Sequence, residues 1–510
     1  MTGGLGVSER INYSVVRYFL IIIQSIILFN GCNCNGEAVK STSKDTLPDG
    51  DLYYYDTNVY DTYGDDIGVY VDDSASDIID ISETIDGDII DILSVDDSVY
   101  NHSDTEYDVY DIGYTSMDIS LGKVAKKEDI INTDGITIWS FDAAYDKKSG
   151  KLLLVMAFND KMLGLFINRD CVAINSSPFT IVTGSVFFPR VASNGEGQFI
   201  LTYTIGLQDN TFEREYRLVD ADSGSISQSY RLDVSTDFNL AFKSAAVWNN
   251  IKGYYIISWS NLSTSGEGNG RVATYLSTIS SNGDILQNKI MVADAIRCGG
   301  TEKWEKHNLP EIALSNIDGS GIVVGFMDMT SDECKDYGGL WYRGLNTESL
   351  PYGDVGIVNG KYESDLLREQ RVVYIEPARE YIVVYVKSPS IWAQRISDSI
   401  ERVGEPYIIR PPILDDMDKS NDKFGQPGVA YDSSSNIIEI MVRGHDDPPG
   451  PAPVFRFRLG GDGLPFSMEP DRVEEASVDP SPIVISIGSS EFIGVYRMNY
   501  SILKCVLISN

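Results

Sequence analysis

The sequence predicts an all-β fold, a β-propeller of seven four-stranded blades, and three observations carry that expectation. First, one short apolar strand recurs along the C-terminal part of the chain. It reads LLLVMAF around Leu153, FILTYT around Ile200, YYIISWS around Ile256 and IVVGFMD around Val323, then YIVVYV around Val383, IIEIMV around Ile438 and FIGVYR around Ile493. The steps are 47, 56, 67, 60, 55 and 55 residues, a period long enough for one supersecondary unit per repeat. Second, the strands are separated by Gly/Asn/Asp turns with no long amphipathic helix between them, as antiparallel sheet requires. Third, residues 119–510 number 392, or 56 for each of seven units. A single core of that size would strain the usual limit, whereas sheets repeated radially do not, and they leave only short, protected edges.

Within each unit the order of elements can be followed. An inner strand comes first, often opened by proline, as in Phe188-Pro189-Arg190-Val191-Ala192, Leu309-Pro310-Glu311-Ile312-Ala313, Gln426-Pro427-Gly428-Val429-Ala430 and Ser481-Pro482-Ile483-Val484. The apolar strand follows, then a third such as Leu340–Arg343 or Ile391–Ile396, a polar turn such as Ser281–Asp284, and a fourth strand. After Ile502–Ile508 the chain ends one outer strand short of a seventh blade. Residues Gly122–Ile131, ahead of the first blade, are expected to supply that strand and close the ring.

The first 118 residues have a different grammar. Arg10 and Arg17 precede the apolar run Tyr18–Phe29, which leads to Asn30-Gly31-Cys32. A basic region, a dozen apolar residues and a small residue at the cut form an export signal, too short to cross a hydrocarbon core of ~30 Å in comfort. The Gly-Cys ending resembles the lipobox of bacterial lipoproteins, although Phe29 stands where leucine is usual. The resemblance implies a signal peptide over residues 1–31, diacylglyceryl attachment at Cys32, and a membrane-anchored cell-envelope protein, of the outer membrane in particular. Residues 32–118 follow as a tether.

The net charge of −34 belongs mostly to that tether: Asp45 to Asp118 holds 20 Asp, 2 Glu and no Lys or Arg. Self-repulsion at that density extends a chain, and Asp suits neither helix nor strand interiors. An Asp-rich stretch behind a lipobox resembles the spacers of surface lipoproteins of deltaproteobacteria. Neither the EF-hand nor the nonapeptide calcium pattern is present, so the expectation is no cofactor beyond weak, diffuse Ca²⁺ association. The acidity excludes nucleic acid as a partner, since phosphate binding needs clustered Lys and Arg. Three histidines, His102, His307 and His445, leave little for imidazole metal sites.

The pattern Pro-x-Val-Ala followed by an aromatic apolar strand resembles a degenerate repeat of secreted bacterial propellers, which implies architecture but no activity; a monomer is expected. With strands running outward, the longest loops fall on one rim. They are 260–270, 330–339 and 443–453 inside blades, with 293–309 and 411–426 between blades. That rim collects Trp304, His307, Asp332, Glu333, Asp336, Tyr337, His445, Asp446 and Asp447 as candidate ligand contacts. Cys298 and Cys334 share it and are expected to pair, as exported cysteines do. A weaker expectation pairs Cys171 with Cys505, near the outer strands of the first and last blades. No Ser-x-Asp-x-Gly-x-Thr-Trp box, Gly-x-Ser-x-Gly elbow or His-Glu-x-x-His motif occurs. The expected function is a binding module for protein or polysaccharide. The alternative is a propeller-type glycoside hydrolase using carboxylates at the pore, for which Asp142, Asp328 and Glu376 are candidates.

Overall fold

The computed structural model describes residues 123–509. It leaves out residue 134 and the segments 208–210, 237–243, 263–271, 295–305, 329–338, 359–366, 388–389, 411–422, 425–426, 446–451, 468–469 and 478–481. All described residues belong to one compact unit. The signal region, Cys32 and the acidic tether lie outside them.

The chain builds seven antiparallel blades in order after a first strand, β1 (Lys123–Asn132). Blade one is β2 (Ser140–Asp146), β3 (Lys151–Ala157), β4 (Lys161–Asn168) and β5 (Phe179–Thr183). Blade two is β6 (Ser185–Ser193), β7 (Gln198–Gly206), β8 (Phe212–Asp220) and β9 (Tyr230–Ser235). Blade three is β10 (Ser244–Asn249), β11 (Tyr254–Leu262), β12 (Val272–Ser280) and β13 (Ile285–Ala293). Blade four is β14 (Lys306–Leu314), β15 (Gly321–Asp328), β16 (Gly339–Leu345) and β17 (Pro351–Ile357). Blade five is β18 (Leu367–Ile375), β19 (Glu380–Lys387), β20 (Ser390–Ser397) and β21 (Arg402–Arg410). In blade six β22 (Lys423–Phe424) and β23 (Gly428–Asp432) both pair with β24 (Ile437–His445), followed by β25 (Ala452–Gly460) and β26 (Asp471–Ser477). Blade seven is β27 (Ile483–Gly488), β28 (Glu491–Asn499) and β29 (Ile502–Ser509).

The recurring apolar strand is the second of each blade, and its sequence follows from its place. Both faces of a blade are covered by neighbours, so this strand loses the usual apolar/polar alternation and is apolar on both sides. Leu152, Leu154 and Met156 of β3 pack toward blade seven, whereas Leu153 and Val155 pack toward blade two. In β19, Tyr381, Val383 and Tyr385 face blade four while Ile382, Val384 and Val386 face blade six. The core therefore consists of seven seams, one between each pair of adjacent blades. Each fully buried Leu, Ile or Val in them contributes about 1.5–3 kcal/mol.

Hydrogen bonds stitch the same seams at the turns between first and second strands. The Asp146 carboxylate caps its own turn through the Ser149 N–H (2.8 Å) and reaches blade two at the Ser193 hydroxyl (2.8 Å) and Gly197 N–H (2.9 Å). Asn249 donates from Nδ2 to the Gly319 carbonyl of blade four (2.9 Å). Asp432 accepts from the Ser490 N–H of blade seven (2.9 Å) and caps Ser434 and Ser435. Tyrosine hydroxyls cross other seams: Tyr216 donates to the Gly283 carbonyl (2.8 Å) and Tyr407 to that of Gly463 (2.9 Å).

Ring closure occurs as the sequence predicts, by pairing the two ends of the domain. β1 is the outer strand of blade seven and runs antiparallel to β29, from Lys123 opposite Ser509 to Asn132 opposite Ile502. One carboxylate reinforces it. Glu474 Oε2, on the outer strand of blade six, accepts Lys127 Nζ of β1 (2.6 Å), Lys504 Nζ of β29 (3.0 Å) and the Tyr496 hydroxyl (3.0 Å). Cys505 in β29 is disulfide-bonded to Cys171, just after β4 of blade one, at a sequence separation of 334. The bridge is buried in the seam between blades seven and one. The Cys298–Cys334 pair expected from sequence lies outside the described residues.

In the chain-entropy account a loop this long gives a stabilisation of about 5 kcal/mol. The double variant Cys171→Ser/Cys505→Ser should keep the propeller's far-UV circular dichroism. Its unfolding free energy from urea titration should fall by an amount of that order, and reductant should not lower it further.

Candidate functional site in the central channel

Seven inner strands surround one axis, and the same step of each faces it. That step is Asp142, Arg190, Ala245, Glu311, Arg371, Gly428 and Ile483, which pair across their hairpins with Val155, Thr202, Ser258, Val324, Val384, Met441 and Val495. All seven line a channel cavity of about 160 Å³. In blades two, four, six and seven proline immediately precedes this step, at Pro189, Pro310, Pro427 and Pro482. Pro189 and Pro310 sit at register shifts of β6 and β14, where a missing N–H breaks no ladder bond.

The belt alternates acid and base where it is charged, with small residues between. Arg190 is the hub. Its Nε donates to the Ser244 carbonyl (3.0 Å), its Nη2 to Glu311 Oε1 (3.0 Å), and its Nη1 lies 3.8 Å from Asp142 Oδ1. Arg371 Nη1 donates to the same Glu311 Oε1 from the other side. Arg190 reaches blade four because blade three presents only Ala245 in between. Gly428 is required by crowding, since a Cβ there would come within 2.5 Å of the Pro482 carbonyl oxygen. Carboxylates and guanidiniums therefore line the cavity on blades one, two, four and five, whereas blades six and seven contribute Gly428, Val429, Ile483 and Val484 and no charge.

The two carboxylates sit in different surroundings. Burial pushes the Asp142 carboxyl above its ordinary value, and Glu311 adds to that shift. The Arg190 charge and the Val191 N–H, which donates to Oδ2 at 2.8 Å, offset it only in part. Glu311 instead has guanidiniums on two sides. The charges of the four side chains cancel, and all four are largely shielded from solvent, between 11% and 16% exposed. Such a network costs desolvation that only complete pairing offsets.

Of the carboxylates considered from sequence, only Asp142 faces the channel. Glu376 lies in the turn after β18, outside the belt, and Asp328 ends β15, the second strand of its blade. Glu311, Arg190 and Arg371 were not anticipated, although the proline-marked step carries a signal for the first two. The predicted rim falls almost wholly outside the described residues, namely Trp304, Asp332, Glu333, Asp336, Tyr337, Asp446 and Asp447. His307 and His445 are placed only by backbone, near the start of β14 and at the end of β24. Among the described residues no group of three His, Cys, Asp or Glu side chains is arranged to hold a metal ion.

No family model and no curated protein matches the chain. Solved structures show distant likeness. One is a Hadza microbial sialidase, at 10% identity and a TM-score of 0.43, covering 70% of this chain and 73% of that one. Another is the GH93 α-L-arabinofuranosidase of Fusarium graminearum in complex with arabinobiose, at 10% identity and a TM-score of 0.43, covering 66% and 98%. A GH43 β-1,3-galactosidase matches at 9% identity and a TM-score of 0.33, covering 52% and 88%. The channel residues, rather than these likenesses, carry the functional reading.

Replacing Arg190 by alanine removes the hub and leaves Asp142 beside Glu311 without it. The expected cost is about 3 kcal/mol at neutral pH, in the range for breaking a buried pair. Without Arg190 the folded-state pKa of Asp142 rises further above its unfolded value. The folded variant then holds a proton that the unfolded chain releases, so stability is lost as pH rises through that interval. Urea titrations of Arg190→Ala should show a smaller deficit at pH 4 than at pH 7; an equal deficit at both would mean that the belt is not electrostatically coupled.

Proposed function

We propose that this protein is an exported, lipid-anchored propeller that hydrolyses carbohydrate at its central channel. The observation that carries the hydrolytic reading is the convergence of two differently held carboxylates on one guanidinium. With Asp142 Oδ1 3.8 Å and Glu311 Oε1 3.0 Å from Arg190, the pair is no more than about 9 Å apart, within the span that acid–base pairs of glycoside hydrolases use. Asp142, raised by burial, is the acid and gives its proton to the glycosidic oxygen as the bond to the anomeric carbon breaks. Glu311, between two guanidiniums, is the base and takes a proton from the water whose oxygen adds to that carbon. The charged groups on blades one, two, four and five suit the hydroxyls of a sugar.

A second reading keeps the propeller as a binding module for protein or polysaccharide through its loop-bearing face. The cancellation of the four belt charges favours it, because a carboxylate fully engaged in ion pairs is a poor proton carrier. The buried Cys171–Cys505 bridge supports export in either case, since disulfides persist in oxidising compartments. Lipidation at Cys32 and tethering through residues 32–118 complete the proposal.

A screen of the full-length protein against aryl glycosides and polysaccharides separates the two readings. Hydrolysis predicts turnover that drops at least ~100-fold in both Asp142→Asn and Glu311→Gln. The wild-type rate should fall as pH rises through the elevated Asp142 pKa. Binding without turnover in any variant would leave the module reading. For the anchor, Cys32→Ala should move the protein from the membrane to the soluble fraction, and equal membrane retention would exclude lipidation at Cys32.

A further inference from the structure

We infer that Trp139 and Tyr500 form an aromatic subsite that holds a sugar ring of a polysaccharide beside the mouth of the channel. The inference rests on the carbohydrate reading of the channel and extends it to a polymeric substrate. Both rings are 57–58% exposed, and Ile136 beside them is 57% exposed. Trp139 is the only exposed tryptophan among the described residues: Trp259 and Trp341 are buried and Trp248 and Trp392 half-buried. Most large aromatic side chains of the blades are buried in the seams, as Trp259, Trp341, Tyr255 and Tyr381 are, whereas these two are on the surface.

Their placement is fixed by backbone, not left to a long loop. The Trp139 N–H donates to the Ala157 carbonyl (2.9 Å), which extends the β2–β3 ladder by one residue. The Ile138 N–H donates to the Tyr500 carbonyl (2.8 Å), so the two aromatics stand on adjoining backbone across the seam of blades seven and one. Beneath Tyr500 lies Arg497, its guanidinium 5.2 Å from the ring centre and its Nη1 donating to the Ile138 carbonyl. A buried cation under an aromatic face holds the ring in place.

The position matches the channel. Trp139 stands three residues before Asp142 on the same inner strand, which is about 10 Å along the strand. That is roughly the reach of a disaccharide from the proposed acid. Trp139 and Tyr500 lie where the chain enters an inner strand and in the turn between the second and third strands of a blade. Both positions open on the loop-bearing face. Aromatic rings there offer flat apolar area with a polar edge, which suits the C–H face of a pyranose while its hydroxyls remain in water.

The test uses full-length protein and four defined probes: cello-, laminari-, manno- and chito-hexaose. Isothermal titration calorimetry should show at least one hexaose binding to wild type. Trp139→Ala and Tyr500→Ala should each weaken it tenfold or more, and Trp139→Tyr should restore most of the loss, which a folding defect would not do. Affinity unchanged in both alanine variants, or no hexaose bound by wild type, overturns the subsite. A hexaose bound through Trp139 but never cleaved would sink the hydrolase and leave the subsite standing. Cleavage that depends on Asp142 while binding ignores Trp139 would do the reverse.

Discussion

Everything in the channel depends on one constraint: seven inner strands must approach a common axis, and each contributes one side chain at the same level. There is not room for seven large residues, nor is there solvent enough to tolerate a net charge. The chain meets both limits at once. Two arginines and two carboxylates cancel, and Ala245 and Gly428 supply the space that the long guanidinium arms cross or that adjacent backbones fill. Arg190, Glu311, Asp142 and Arg371 share partners, so their contributions are coupled and not independent.

The rest of the molecule is the opposite kind of assembly. Its core is divided among seven seams, each involving only two blades, so stability accumulates by repetition, as in other repeat architectures. The latches at the turns follow the same logic. Asp146, Asn249 and Asp432 each serve their own turn and the blade that follows. Burial pushes the Asp146 carboxyl up, but hydrogen bonds from Ser149, Gly197 and Ser193 outweigh it and leave the pKa lowered. These seam carboxylates thus favour the folded state at neutral pH and give up that contribution as the medium acidifies. Asp142, raised instead of lowered, works in the other sense.

The fold was legible because it is written in repetition. Blade number, strand order and the closing role of the first strand all follow from the spacing of apolar strands that are buried on both faces. The site was harder to read, because its residues are the ones that break the repeat. The position marked x in Pro-x-Val-Ala is the belt position, and its occupants, Arg190, Glu311, Gly428 and Ile483, share no chemistry. A reading that searches for what the repeats have in common passes over them. Long polar loops are the more visible feature of the sequence, whereas the convergent charges sit on inner strands, two of them directly after a proline at a register shift. Cys171 and Cys505 were harder for a different reason: they lie at a sequence separation of 334, and only the closed ring makes them neighbours.

The outer position of β1 has a consequence for how the protein is made. This strand leaves the ribosome before any blade exists, yet its ladder partner, β29, follows all seven second strands in the chain. Until β29 is made it is an unpaired edge, the kind of segment that recruits other chains. Its sequence KVAKKEDIIN carries three lysines, and most of its residues remain solvent-facing even after pairing. Those charges guard the strand while it waits. Closure is then a long-range event that completes the ring rather than starting it, and the covalent bond between Cys171 and Cys505 can follow only once blades one and seven have both been made.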